Sequence, residues 1–224
     1  MQKFATIYQR AAQRKGGPHA LEELLVTGSP PVDLTRIPDD RYLAEMTRRI
    51  FCAGFVWKVI ESKWPAFEEA FQGFDVAKMA ALSDDDLAAL ARDERIVRNA
   101  QKIQTVRANA HFMLDIVGER GSFGNFVAGW PESDIVGLLA LLKKRGSRLG
   151  GATAQYFLRF MGKDTFILSN DVVAALVNAE VIDNHKATAV KDRKAIQAAF
   201  NQWHTESGRS YTVMSRVLAM SIDA

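Results

Sequence analysis

An all-α fold is predicted by three features of this sequence. Apolar residues recur at helical spacing through nearly the whole chain. Strand character is confined to Phe166–Ser169, a segment too short to build a sheet alone. Glycine, proline and short polar residues fall where helices should stop and start. With 224 residues and 48% hydrophobic content, the chain can bury a full core.

An N-terminal helix comes first, joined to the main body by Gly28–Pro38, whose glycines and prolines read as an ordered loop. Asp40–Trp64 then places Leu43, Met46, Ile50, Ala53, Phe55, Trp57 and Ile60 among charged residues, and Pro65 stops that helix or starts the next. Ser83 and Asp86 make a capping box that opens a short acidic helix ending near Ala91. Ile96–Val117 carries Ile103, Val106, Ala110 and Met113 on one stripe and is closed by Gly118. Pro131–Arg145 is a further helix ending at Gly146, and Lys186–Glu206 and Ser210–Ser221 are two more, divided by Gly208. The expected organisation is one domain over 1–224. Alternatively, two packed helical subdomains cover about 40–130 and 131–175, and 1–39 and 176–224 flank them and complete the core.

Composition excludes several function classes. No apolar run approaches the roughly 18–20 residues that span a bilayer, and the first residues lack the apolar centre of a signal peptide, so the cytoplasm and no membrane partner are expected. The net charge of +3 is too small to imply nucleic acid by itself, although a pI near 9.0 is compatible with a local basic face. A single cysteine, Cys52, rules out an internal disulfide, a cysteine-ligated zinc site and a four-cysteine iron–sulfur cluster. It sits in an apolar helix as a small core residue.

The most informative stretch is Leu142–Ala174: a helix, a basic glycine turn, a second helix and a polar cap opening a third. Gly146, Gly150 and Gly151 let the turn's backbone approach another molecule, and Lys143, Lys144, Arg145 and Arg148 surround its N–H groups with positive charge. A DNA phosphate there would meet both the amides and the positive end of the helix that begins near Ala152. The bland alternative is an ordinary αα-corner with a solvated basic run.

This helix–hairpin–helix, preceded by Ala53–Asp75 and Ile96–Leu114 in that order, resembles the 3-methyladenine DNA glycosylase I family of helix–hairpin–helix DNA glycosylases. The likeness runs from about Asp40 to about Ala175. Its most specific pieces are Ala53–Gly54–Phe55 with Trp57, Arg98 with Lys102–Ile103–Gln104 and Asn109–Ala110, and Leu142–Gly146. The resemblance implies a helical bundle that binds double-stranded DNA containing alkylated bases, flips the damaged purine out and hydrolyses its N-glycosidic bond. A monomer without cofactor is expected. Phe55 falls where the family fills the gap left by the flipped nucleotide, beside Gly54, and Trp57 falls on its pocket tryptophan, with Phe51 nearby. Read without the resemblance, Phe55 and Trp57 would be core aromatics. Gly54, Lys102, Arg145, Gly146, Arg148, Gly150, Gly151 and Thr153 would contact DNA. Arg98, Lys102 and Arg107 read as a face along its backbone or as solvated charge.

The carboxylate departs from the family pattern. Arg49 stands where the family carries its pocket Glu. Glu45, one turn earlier, could enter the same cavity or simply pair with Arg49. At the superfamily's catalytic Asp position the chain has Asn170, with Asp171 adjacent; Asp171 is the favoured acid, and either residue could instead be a helix cap. Ala152 replaces the lysine of bifunctional relatives, so strand cleavage by a Schiff base is not expected. Val172 and Leu176 replace zinc ligands, so no metal is expected, and their packing would take over the stapling role. His111 is assigned no role, and Trp203 and Tyr211 are assigned to the core. The rival functions are a non-catalytic lesion-binding module and a glycosylase for a different base.

Overall fold

The computed structural model describes residues 1–26, 32–184 and 186–222. Its α-helices are α1 (Phe4–Arg14), α2 (Pro18–Leu25), α3 (Asp39–Cys52), α4 (Trp57–Ala70), α5 (Val76–Ala80), α6 (Asp84–Leu90) and α7 (Ala100–Arg120). They continue as α8 (Phe123–Gly129), α9 (Ile135–Arg145), α10 (Ala152–Met161), α11 (Asn170–Asn178), α12 (Val190–Ser207) and α13 (Tyr211–Met220). Short 3₁₀ turns occupy Leu34–Arg36, Gln72–Phe74 and Glu132–Asp134. Among the described residues there is no strand, Phe166–Ser169 included, and no helix is long and apolar enough to cross a membrane. Of the expected Gly28–Pro38 loop, residues 28–31 lie outside the described residues.

Local chemistry moves several expected boundaries. The helix expected over Asp40–Trp64 is two helices, because Gly54 adopts a φ of 77° after α3. That conformation is cheap only for glycine. Pro65 does not mark a boundary: it lies inside α4, flanked by the buried Trp64 and Phe67. Gly118 is an ordinary position within α7, and the helix ends instead at Gly121, with a φ of 81°. The Ser83–Asp86 capping box is present as read, and Gly208, with a φ of 65°, separates α12 from α13.

The chain divides into two compact units. One comprises residues 33–130 and 139–163, so the hairpin and α10 cluster with α3–α8. In it α3 packs against α7 and α10, and α5 against α7. Trp64, Phe67, Phe71 and Phe74 stack in series at centroid separations of 5.3–6.1 Å, and Phe51 meets Phe67 edge-on at 4.8 Å. Such rings bring large apolar area and geometric preference together. The other unit comprises residues 1–32, 131–138 and 164–224. There α13 packs against α1, α11 and α12, with Trp203 and Tyr211 in the core as expected. Val172 and Leu176 are buried in this unit.

Candidate active site

In the 33–130/139–163 unit, the end of α3, the bend after it and the start of α10 enclose a cavity of about 250 Å³. From α3 and the bend come Arg49, Cys52, Ala53, Gly54, Phe55 and Trp57; from α10 come Ala152, Thr153 and Tyr156. The bend is held from behind by Lys102. Its ammonium donates to the carbonyl oxygens of Phe51 (3.1 Å) and Ala53 (2.6 Å), which the end of α3 leaves without intrahelical partners. Phe55 and Trp57 are therefore displayed at the surface, 40% and 39% exposed, instead of following α3 into the core. Trp57 meets Tyr156 edge-on at 5.1 Å.

Several expected site residues lie elsewhere. Lys102, expected on a DNA-facing surface, is buried: its amine closes the end of α3. Burial pushes its ammonium pKa down, and the charge of Arg148 adds to that shift. Phe51, expected in the pocket, faces inward from α3 and is fully buried against Phe67. Burial also pushes the Cys52 thiol pKa up. Asn170 and Asp171 belong to the other unit, exposed in the first turn of α11. Neither is the cap, because Ser169 takes that place and its hydroxyl accepts from the Val172 N–H.

Arg49 does border the cavity, with a side chain only 2% exposed. Its Nε lies 2.7 Å from Glu45 Oε1 and its Nη2 3.3 Å from Glu61 Oε1. The 2.7 Å approach is out of line for a hydrogen bond, so charge attraction holds it. Glu45 thus takes the ion-pair role and is not among the cavity's lining residues. Burial raises its carboxyl pKa, and Arg49 and Arg48 oppose that shift only in part. The Arg49 guanidinium lies 4.9 Å from the Trp57 ring centroid and 4.1 Å from that of Phe160. Tyr156, Phe160 and Glu61 were not singled out in the sequence. The helical i, i+4 spacing of Tyr156 and Phe160 was the available signal.

Beside the cavity, the turn between α9 and α10 is fixed from below. Asn109, itself buried, donates to the Ser147 carbonyl (3.1 Å) and accepts from the Ser147 N–H (2.7 Å). A Cβ on Gly146 would sit 2.6 Å from Leu149 Cδ1 and 2.8 Å from the Leu142 carbonyl oxygen. Gly151, with a φ of 57°, begins α10 without a side-chain cap, so the first amides of α10 have no side-chain partner there. Arg148 holds a φ of 56° and bonds Gln101 at 2.6 Å. Lys143 and Lys144 are exposed, whereas Arg145 is paired with Glu119 (3.2 Å) and Asp115 (3.6 Å). Arg98 pairs with Glu94, Arg107 pairs with Asp84, and His111 is exposed.

Known proteins share this arrangement in part. The family model described as methyladenine glycosylase matches residues 35–137. DNA-3-methyladenine glycosylase 1 of Escherichia coli (strain K12) is 29% identical over 122 residues, which is 46% of this chain and 65% of that relative. The chain thus aligns with just under two thirds of the relative's length. The Staphylococcus aureus 3-methyladenine DNA glycosylase I, solved to explain its recognition of 3-methyladenine, has a TM-score of 0.52 at 25% identity, covering 69% of this chain and 90% of that one. A Methanocaldococcus jannaschii 8-oxoguanine glycosylase/lyase in complex with DNA has a TM-score of 0.55 over 96% of this chain and 95% of that one; at 12% identity it shares the fold alone. The matched segment carries Arg49, Gly54, Phe55, Trp57 and the Asn109 that anchors the hairpin, and over that segment the chain is similar to the methyladenine glycosylases.

Proposed function

We propose that this protein is a monofunctional DNA glycosylase of base-excision repair. It hydrolyses the N-glycosidic bond of a damaged purine in double-stranded DNA, with alkylated purines such as 3-methyladenine the substrates to which its relatives' names point. The observation that carries this reading is the aromatic cavity of about 250 Å³ set directly beside the hairpin, a little smaller than the roughly 300–1,000 Å³ of most small-molecule pockets. The amides that open α10, with Arg148, Lys143 and Lys144, would grip the phosphate backbone, and Phe55 would fill the gap in the stack. A base drawn into the cavity would lie against Trp57 and Tyr156. The C1′–N bond then breaks with its electron pair leaving on the base, and a water oxygen bonds to C1′ and gives up a proton to solvent. A base already alkylated on a ring nitrogen leaves neutral and needs no proton.

A carboxylate must stabilise the developing positive charge on the sugar, and we assign Asp171 to it, with Glu45 as the alternative. Ala152, the residue before Thr153, offers no amine, so the abasic product should keep its strand intact. We also propose that it acts in the cytoplasm, as a monomer. A non-catalytic lesion-binding role is the second reading, favoured by the cation Arg49 at the cavity. Incubation with methylated duplex DNA, with chromatography of the released bases and a denaturing gel before and after alkali, tests the proposal. Free methylated purine with strand breaks only after alkali is expected; tight binding without base release would move the protein to the second reading.

A further inference from the structure

The cavity has aromatic walls, yet its one charged lining residue is a cation. Arg49 is held at Nε by Glu45 and at Nη2 by Glu61, while its buried Nη1 has no hydrogen-bond partner among the described residues. A desolvated N–H without an acceptor is costly, and a guanidinium can donate but never accept. Whatever base edge satisfies Nη1 must therefore present an acceptor. The guanidinium also lies against the rings of Trp57 and Phe160, so a positively charged base stacked on Trp57 would sit beside the protein's own cation. Phe160, 55% exposed, packs its ring 4.1 Å from the same guanidinium.

Building on the glycosylase reading above, we propose that Arg49 sets base selection, favouring an uncharged purine with a carbonyl acceptor over a purine made cationic by N-alkylation. A 6-oxopurine fits, since its O6 and N7 are the acceptors a guanidinium recognises best; as its C1′–N9 bond breaks, the electron pair goes to the base, whose anion is stabilised by the Arg49 N–H donors and takes up the proton that the attacking water gives up. Alkylated purines are then the slower substrates of the same cavity.

The test uses two duplexes of one sequence, bearing deoxyinosine or 7-methyldeoxyguanosine at the same position, with single-turnover release of hypoxanthine and 7-methylguanine as the readout. Both bases carry O6; the second adds a positive charge. Wild-type protein should release hypoxanthine about tenfold faster or more, and Arg49→Gln should lower the hypoxanthine to 7-methylguanine ratio by about tenfold. The double variant Arg49→Gln/Glu45→Gln, which removes the buried carboxylate together with its partner and leaves Glu61 paired with Arg48, should shift the ratio in the same direction. A wild-type preference for 7-methylguanine, or a ratio unchanged in both variants, overturns the inference and leaves the glycosylase reading intact. The wild-type ratio decides even where a variant fails to fold. Release of neither base, and of none from methylated DNA, overturns the glycosylase reading and the inference with it.

Discussion

Phe51 and Phe55 are one helical turn apart in sequence and lie in opposite environments, the first fully buried and the second 40% exposed. The difference is the bend at Gly54, which ends α3 between them. Phe51→Ala should cost about 3–5 kcal/mol by opening a core cavity. Phe55→Ala should cost about 1 kcal/mol or less and still greatly reduce base release. Thermal melts beside single-turnover excision check the contrast, and a strongly destabilised Phe55→Ala would return that ring to the core. Glu45 makes a prediction in pH. Burial raises its carboxyl pKa above the ordinary 4.5, so the folded state holds the proton more tightly than the unfolded chain. The stability this contributes is present below that ordinary value and lost as pH rises through the raised folded value. Denaturation midpoints across that window should fall more steeply with pH in wild type than in Glu45→Gln; parallel curves would show that Arg49 cancels the effect of burial.

At the scale of the element, Gly146 and Gly150 of the hairpin differ in what an added side chain would meet. Gly146→Ala should destabilise by about 1–3 kcal/mol, because the added carbon meets Leu149 and a backbone carbonyl at under 3 Å. Gly150→Ala, whose added carbon has Lys143 Cγ at 3.4 Å as nearest neighbour, should melt close to wild type. Equal melting of the two variants would mean the turn relaxes freely. Arg148→Glu should weaken DNA binding across sequences and reduce the salt slope by about one ion. Titrations at several salt concentrations read it, and an unchanged slope would remove the turn from the DNA interface. Such loss is expected at Arg148 and not at Lys102, whose amine is spent on the end of α3.

At the scale of the molecule, the assignment of the acid joins sequence order to chemistry. Asp171→Asn should leave folding and DNA affinity nearly unchanged, since Ser169 caps α11, while base release falls a hundredfold or more, about 3 kcal/mol in the barrier. Parallel assays of Asp171→Asn and Glu45→Gln decide: loss only in Glu45→Gln moves the role to α3, and loss in neither makes both carboxylates structural. The sequence by itself determined the all-α class, the capping box at Ser83, the hairpin and the likeness to the methyladenine glycosylases, because helical periodicity, cap chemistry and an ordered set of glycines and aromatics are local signals. Only the tertiary structure decided that Lys102 turns inward to close α3, that Phe51 is core while Phe55 and Trp57 are displayed, and that Tyr156 of α10 completes the cavity wall. The physical reason is that a helix's pattern gives the face a residue occupies, whereas the partner met by that face, and the carbonyls or rings it must satisfy, come from segments about fifty to one hundred residues away.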